Sequence, residues 1–167
     1  MPWFAFSLSL SPDVARERLR NIPVLPMPDG ELAEALDVDL VYDAQATDWG
    51  GRVARLVDAP GRKVMGLVRR MPPHTWPLVT RLETALAQAS EERTVRVRTA
   101  TGAVLAARAF SPPAPKQAPQ GVVSVAFLEA HARAAERASL PAHYVERLQA
   151  EARIVQTVQR AQADRPR

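Results

Sequence analysis

RTVRVRTATGAVLAARAF, residues 93–110, alternates along its first half. Val95 and Val97 face one way and Arg96 and Arg98 the other, the period of two that a strand with one buried face requires. Thr101-Gly102 then supplies a turn, because glycine takes up positive φ without a steric penalty, and VLAARAF returns as a second strand. Strands joined this closely are antiparallel. The chain therefore carries at least one hairpin, which sets it apart from a doubly wound fold of alternating parallel strands and helices.

Working towards the N-terminus, RVARLVDA (52–59) and KVMGLVRR (63–70) flank Pro60-Gly61 and read as a second hairpin. ELAEALDVDLVYD (31–43) is divided: LAEAL favours a helix locally, whereas VDLVYD alternates, so its second half is read as a strand. ATDWGG (46–51) is a turn, and PVLPMPDG (23–30) is a connector, since three prolines in six residues cannot lie inside an element. Residues 3–10, WFAFSLSL, read as the opening strand. Ser11-Pro12 then gives an N-cap and a first-turn proline, with Asp13 where the helix dipole favours it, for a helix over 13–21 that stops before Pro23.

Towards the C-terminus, PPHTWPLVTRLETALAQAS (72–90) turns helical from about Trp76, with Leu78, Leu82, Ala85 and Leu86 sharing a face. SPPAPKQAPQG (111–121) is a proline-rich loop. Two helices close the chain, near 124–138 and 142–160, separated by Leu140-Pro141; Tyr144, Leu148, Ala152 and Val155 form the apolar stripe of the second. The sum is five or six strands with helices collected at the end. We expect an α+β domain over residues 1–160, a curled sheet or small mixed or antiparallel β-barrel flanked by helices, and a basic, frayed tail over 161–167.

Composition narrows the chemistry. With no cysteine, disulfides, thiolate nucleophiles and Cys-based zinc sites are excluded. His74, His131 and His143 lack close metal-ligand spacing, and each is read as helix surface or local packing, so no metal is expected. Gly-x-Gly-x-x-Gly, Walker A and His-Glu-x-x-His patterns are all missing, and no cofactor is expected. No stretch approaches the ~20 apolar residues of a membrane span. The expectation is a soluble cytoplasmic protein without membrane contact. A formal charge of +4 raises the question of nucleic acid, but aromatics are only 5%, so stacking platforms are scarce. Arg93, Arg96 and Arg98 are read as solvated strand surface rather than an anion site, and Asp48 beside Trp49 as turn chemistry.

Glu83, inside TRLETAL, is the acid that stands apart. It adjoins Leu82 and lies three residues before Leu86, on the margin of an apolar face. There a carboxylate is partly desolvated and its pKa lifted towards that of a general base, although an ordinary surface glutamate fits the same spacing.

Taken in order, several pieces carry a likeness: WFAFSLSL at the start, DWGGRVA (48–54), VMGLVRR (64–70), VTRLET (79–84), ERTVRV (92–97) and VSVAFLEAHARAAERASLPAHYVERL (123–148). Through them the chain resembles the gamma-glutamylcyclotransferase-like family from residue 3 to about 150. The resemblance implies a small barrel with helices around it, a substrate pocket at its mouth, and a reaction without metal or cofactor. In that reaction a gamma-glutamyl amide, the small-molecule partner, cyclises to 5-oxoproline and releases an amine. The family's acid/base glutamate falls, by position in VTRLET, on Glu83. Its substrate-gripping Tyr-Gly-Ser-Asn-Leu loop falls on Phe6, Ser7, Leu8, Ser9 and Leu10, and a pocket tyrosine falls on Phe127.

At those positions the chain departs from the pattern. Phe6 and Phe127 lack the phenol hydroxyl, Ser7 replaces a glycine, Leu8 replaces a small hydroxyl, Ser9 replaces an asparagine, and Thr84 stands where glycine usually follows the glutamate. Trp49, Gly50, Gly51, Arg93, Leu140, Pro141 and Tyr144 persist. Two functions follow as expectations: a cyclotransferase or amine lyase working through Glu83, or a catalytically inactive relative whose remodelled pocket binds a small ligand or a protein partner.

Overall fold

The computed structural model describes residues 1–20 and 25–164. Five strands form a closed barrel in the order β1-β3-β2-β4-β5: β1 (Pro2–Ala5), β2 (Glu31–Ala46), β3 (Gly51–Arg70), β4 (Glu91–Thr99) and β5 (Val104–Ser111). All pairings are antiparallel except the closing one, where Trp3 of β1 meets Arg108 of β5 in parallel. The barrel is therefore mixed. Around it lie α1 (Pro12–Arg18), α2 (Trp76–Ala87), α3 (Val125–Arg137) and α4 (Ala142–Ala163).

Strand alternation divides the apolar residues into two cores. Phe4, Phe6, Ala33, Ala35, Val64, Val68, Val95, Val97, Ala107 and Ala109 belong to one cluster, the barrel interior. Trp3, Ala5 and Leu67 point the other way and join residues of all four helices in the second. Gly66 lets the two cores meet: a Cβ there would lie 2.3 Å from the Ala5 carbonyl oxygen and 2.7 Å from the Phe4 ring. No other residue fits against β1 at that point.

The hairpin of 93–110 forms as its alternation requires, with Val95 and Val97 buried and the turn between Thr99 and Val104. The Ser11 side chain accepts from Val14 N–H at 3.4 Å, the cap read from sequence. Four other readings need correction.

The opening strand stops at Ala5 instead of reaching residue 10. The chain bends at Ser7 (φ −125°, ψ −132°) into a 3-10 turn, Leu8–Leu10, all of whose side chains are buried. Helix α1 ends at Arg18; the expected last residue, Asn21, and Pro23 lie outside the described residues. The LAEAL segment is strand throughout, because Ala33 and Ala35 fill the barrel interior and tertiary packing overrides local helix preference.

The largest difference concerns Pro60-Gly61. Residues 51–70 make one strand, and β3 pairs with β2 on both sides of Pro60-Gly61, from Gly51 to Asp58 and from Lys63 to Val68, so the hairpin partner of RVARLVDA is β2 rather than KVMGLVRR. The register runs from Leu36↔Lys63 to Val38↔Asp58, so residues 59–62 bulge out opposite Asp37 alone. Asp37, at φ 58°, accepts from Gly61 N–H at 3.0 Å and from Arg96 at 2.6 Å, which ties the bulge to β4. A turn exists where the sequence placed it, but the strand continues past it. The true reversal between β2 and β3 is the Thr47–Trp49 turn, with Gly50 in the left-handed region at φ 65°.

Candidate functional site

In α2 the residues that bury are Val79, Leu82, Glu83, Leu86 and Ala87, spaced three, one, three and one. That is a single helical face, and Glu83 lies in its middle. The expected face was one residue out: Leu78 is 50% exposed, and Val79 takes its place inside. This shift moves Glu83 from the margin of the apolar face to its centre, where it is 5% exposed.

A buried carboxylate needs donors. Trp3 Nε1–H donates to Glu83 Oε1 at 3.1 Å, and the Ser9 hydroxyl donates to the same oxygen at 2.7 Å. Burial pushes the Glu83 pKa up to about 7, against the pull of the Ser9 and Trp3 hydrogen bonds and of the Arg69 charge. At neutral pH the carboxyl is thus divided between its two protonation states, the condition in which one group both takes and returns a proton.

Arg69, near the end of β3, is 4% exposed and grips the loop beside Glu83. Its Nη1 donates to Ser9 O at 3.1 Å, its Nη2 to Leu10 O at 2.9 Å, and its Nε to Pro28 O of the connector at 3.0 Å. On the far side of the loop, His131 Nε2–H donates to Phe6 O at 2.8 Å. Burial holds the His131 pKa down to about 4, so the ring is neutral at physiological pH.

The loop residues named from sequence are buried together but do different things. Ser9 is the one among them that bonds to Glu83. The Phe6 ring stacks on Phe4, centroids 6.1 Å apart, inside the barrel, and only its carbonyl faces the loop's surroundings, on His131. Leu8 and Leu10 belong to the helix-side core, and Ser7 Oγ is buried with no partner among the described residues. Phe127 packs edge-on against Trp49 at 5.5 Å and lies 6.0 Å from the His131 ring. It supports the far wall of the loop. Tyr144 is buried in the same core.

Sequence reasoning missed Trp3, Arg69 and the loop contact of His131. For Trp3 a signal existed, since a buried indole N–H takes an acceptor. The remaining sequence candidates lie elsewhere. His74 is in a 3-10 turn before α2, His143 is exposed at the start of α4, and the Asp48 carbonyl accepts from Arg18 at 2.6 Å. Arg93, Arg96 and Arg98 each meet a carboxylate, of Asp58, Asp37 and Glu34, so this strand face carries paired charge. Among the described residues no group of three His, Cys, Asp or Glu is placed to hold a metal, and no helix is long and apolar enough to cross a membrane. A cleft of about 750 Å³ is lined by the proline-rich loop with Gln45 and Gln88 and does not include Glu83.

Residues 63–148, from the second half of β3 into α4 and with Glu83 inside them, match the AIG2-like family. The chain belongs to that family. No curated protein matches this chain. Among solved structures, a gamma-glutamyl cyclotransferase superposes with a TM-score of 0.67 at 19% identity, covering 90% of this chain and 86% of its own. An uncharacterized protein from Homo sapiens gives 0.65 at 22% identity, with 89% and 86% covered. YkqA from Bacillus subtilis gives 0.65 at 16% identity, with 92% of this chain and 54% of YkqA covered. These neighbours share the fold of the AIG2-like barrel and its helices.

Proposed function

We propose that this AIG2-like protein cyclises a gamma-glutamyl amide to 5-oxoproline and releases the amine, with Glu83 as acid and base. The observation that carries the reading is the Glu83 carboxyl itself: buried, held on one oxygen by Trp3 and Ser9, and with a pKa of about 7. The substrate's α-amine attacks its own γ-carbonyl carbon, and a new C–N bond closes the five-membered ring. Glu83 accepts the proton lost by the attacking amine. The bond to the leaving amine then breaks, and Glu83 returns a proton to that nitrogen. Nucleophile and electrophile belong to one molecule, so placement supplies much of the rate.

The developing oxyanion needs donors. The first N–H groups of the Leu8–Leu10 3-10 turn, which such a turn leaves without a partner inside it, belong to the same short segment as the Ser9–Glu83 contact. Incubating purified protein with a panel of gamma-glutamyl amides and measuring 5-oxoproline tests this reading. Product from the wild type and none from E83Q is the expected result; no product from either across the panel sinks it.

One observation favours a second reading. Leu8 is 1% exposed and packs into the helix-side core, where the family's loop carries a small hydroxyl. A loop filled in this way suits a relative that binds a small ligand or a partner protein without turnover. Calorimetric titration with the same amides separates the two: heat of binding without product supports the second reading, and product supports the first.

A further inference from the structure

Arginine is seldom buried without a carboxylate beside it. Arg69 is buried, yet no described carboxylate oxygen lies within 4.0 Å of it, and three of its five N–H donors are spent on backbone carbonyls. Two of those carbonyls belong to consecutive loop residues, Ser9 and Leu10, which the flat guanidinium spans as a fork. Desolvating a guanidinium to hold a loop is costly, and apolar packing does that task at least as well. What the cation adds is charge. Among the described residues, Glu83 is the leading opposite charge on Arg69, with Asp29 of the connector second, and the Arg69 charge in turn favours the ionised form of Glu83. The other groups that face Glu83 are neutral: the Trp3 indole from β1 and the Ser9 hydroxyl from the loop. The barrel register joins these ties, because Trp3 pairs directly with Arg69 across β1 and β3 and its ring lies 5.7 Å from the guanidinium.

We propose that Arg69 is the positioning residue of this site. It fixes the loop through the Ser9 and Leu10 carbonyls, so that the Ser9 hydroxyl reaches Glu83, and it sets a positive charge against that carboxyl. Loop shape and the ionisation of Glu83 are thereby one coupled property. The role rests on reading Glu83 as the acid/base of the site, but its test does not require turnover.

Carbon-13 NMR of protein labelled at the glutamate δ-carbon, with the Glu83 signal identified by its loss in E83Q, gives the Glu83 titration midpoint directly. Amide shifts of residues 8–11 report the loop. In R69Q the midpoint rises by about one pH unit and the loop amides move, as expected when an opposite charge nearby is removed. R70Q, which removes the same formal charge at the neighbouring exposed position, changes neither. R69K keeps the charge without the fork, so the midpoint stays near that of the wild type while the loop amides still move; this variant carries the test if R69Q does not fold. An R69Q midpoint equal to that of R70Q, or R69K amides left in place, overturns the proposal. A shifted midpoint in a protein that releases no 5-oxoproline upholds Arg69 and removes the cyclotransferase reading instead.

Discussion

Replacing Glu83 by glutamine is expected to stabilise the protein in alkaline solution and leave it unchanged in acid. Glu83 has a folded pKa of about 7 against an ordinary value of 4.5. Between those values the folded chain binds more protons than the unfolded one, so stability falls as pH rises. Stability from this group is fully present below pH 4.5 and lost as pH passes through 7. A difference of roughly two and a half units at about 1.4 kcal/mol each puts the cost at about 3 kcal/mol by pH 8. Glutamine keeps the shape and an oxygen that accepts from Trp3 and Ser9, and it never ionises. Urea unfolding of both proteins at pH 4.5, 6 and 8 measures the difference. E83Q should match the wild type at pH 4.5 and exceed it by up to about 3 kcal/mol at pH 8. A gap that fails to grow with pH, or an E83Q protein less stable at pH 8, would show that Glu83 is not desolvated as described. A stabilising substitution at this carboxyl is also what a site kept strained for function leads one to expect.

His131 behaves in the opposite sense. Its pKa is held down to about 4 from 6.5, so the stability it contributes is present above pH 6.5 and lost as pH falls through 4. H131Q should lose less stability than the wild type between pH 6.5 and 4, by up to about 3 kcal/mol, in the same urea experiment; parallel curves would contradict this. The two glycines singled out should differ from one another. G66A drives a Cβ into the Ala5 carbonyl and the Phe4 ring and should cost about 3 kcal/mol or more, roughly 10 °C in melting temperature. G50A, with φ 65° and nothing within 4 Å of its Cβ, should cost only about 1 kcal/mol. Equal losses at the two positions would contradict the close packing of β1 on β3.

What could be read from sequence was local. The 93–110 hairpin announces itself because alternation and turn fall within one short stretch, and Ser11-Pro12 marks a helix start through groups three residues apart. Pro60-Gly61 misleads for the same reason: its local chemistry is that of a turn, and only pairing with distant β2 reveals a bulge in a continuous strand. Glu83 was found, but its depth depended on a helical face displaced by one residue, which apolar counting left undecided between Leu78 and Val79. The partners that give Glu83 its chemistry lie far off along the chain, Ser9 at 74 residues and Trp3 at 80, and Arg69 reaches its loop carbonyls across 59 and 60. No window of sequence contains those pairs. The resemblance pointed to residues 6–10, while the directions of their side chains, Phe6 into the barrel and Ser9 onto Glu83, follow from the bend at Ser7.

The dependence of kcat/KM on pH for 5-oxoproline release tests the role of Glu83 most directly. With Glu83 as the base, kcat/KM rises with pH to a plateau, with a midpoint near 7, and E83Q loses turnover across the whole range. A midpoint near the ordinary glutamate value, or an E83Q variant that turns over as fast as the wild type, would contradict it.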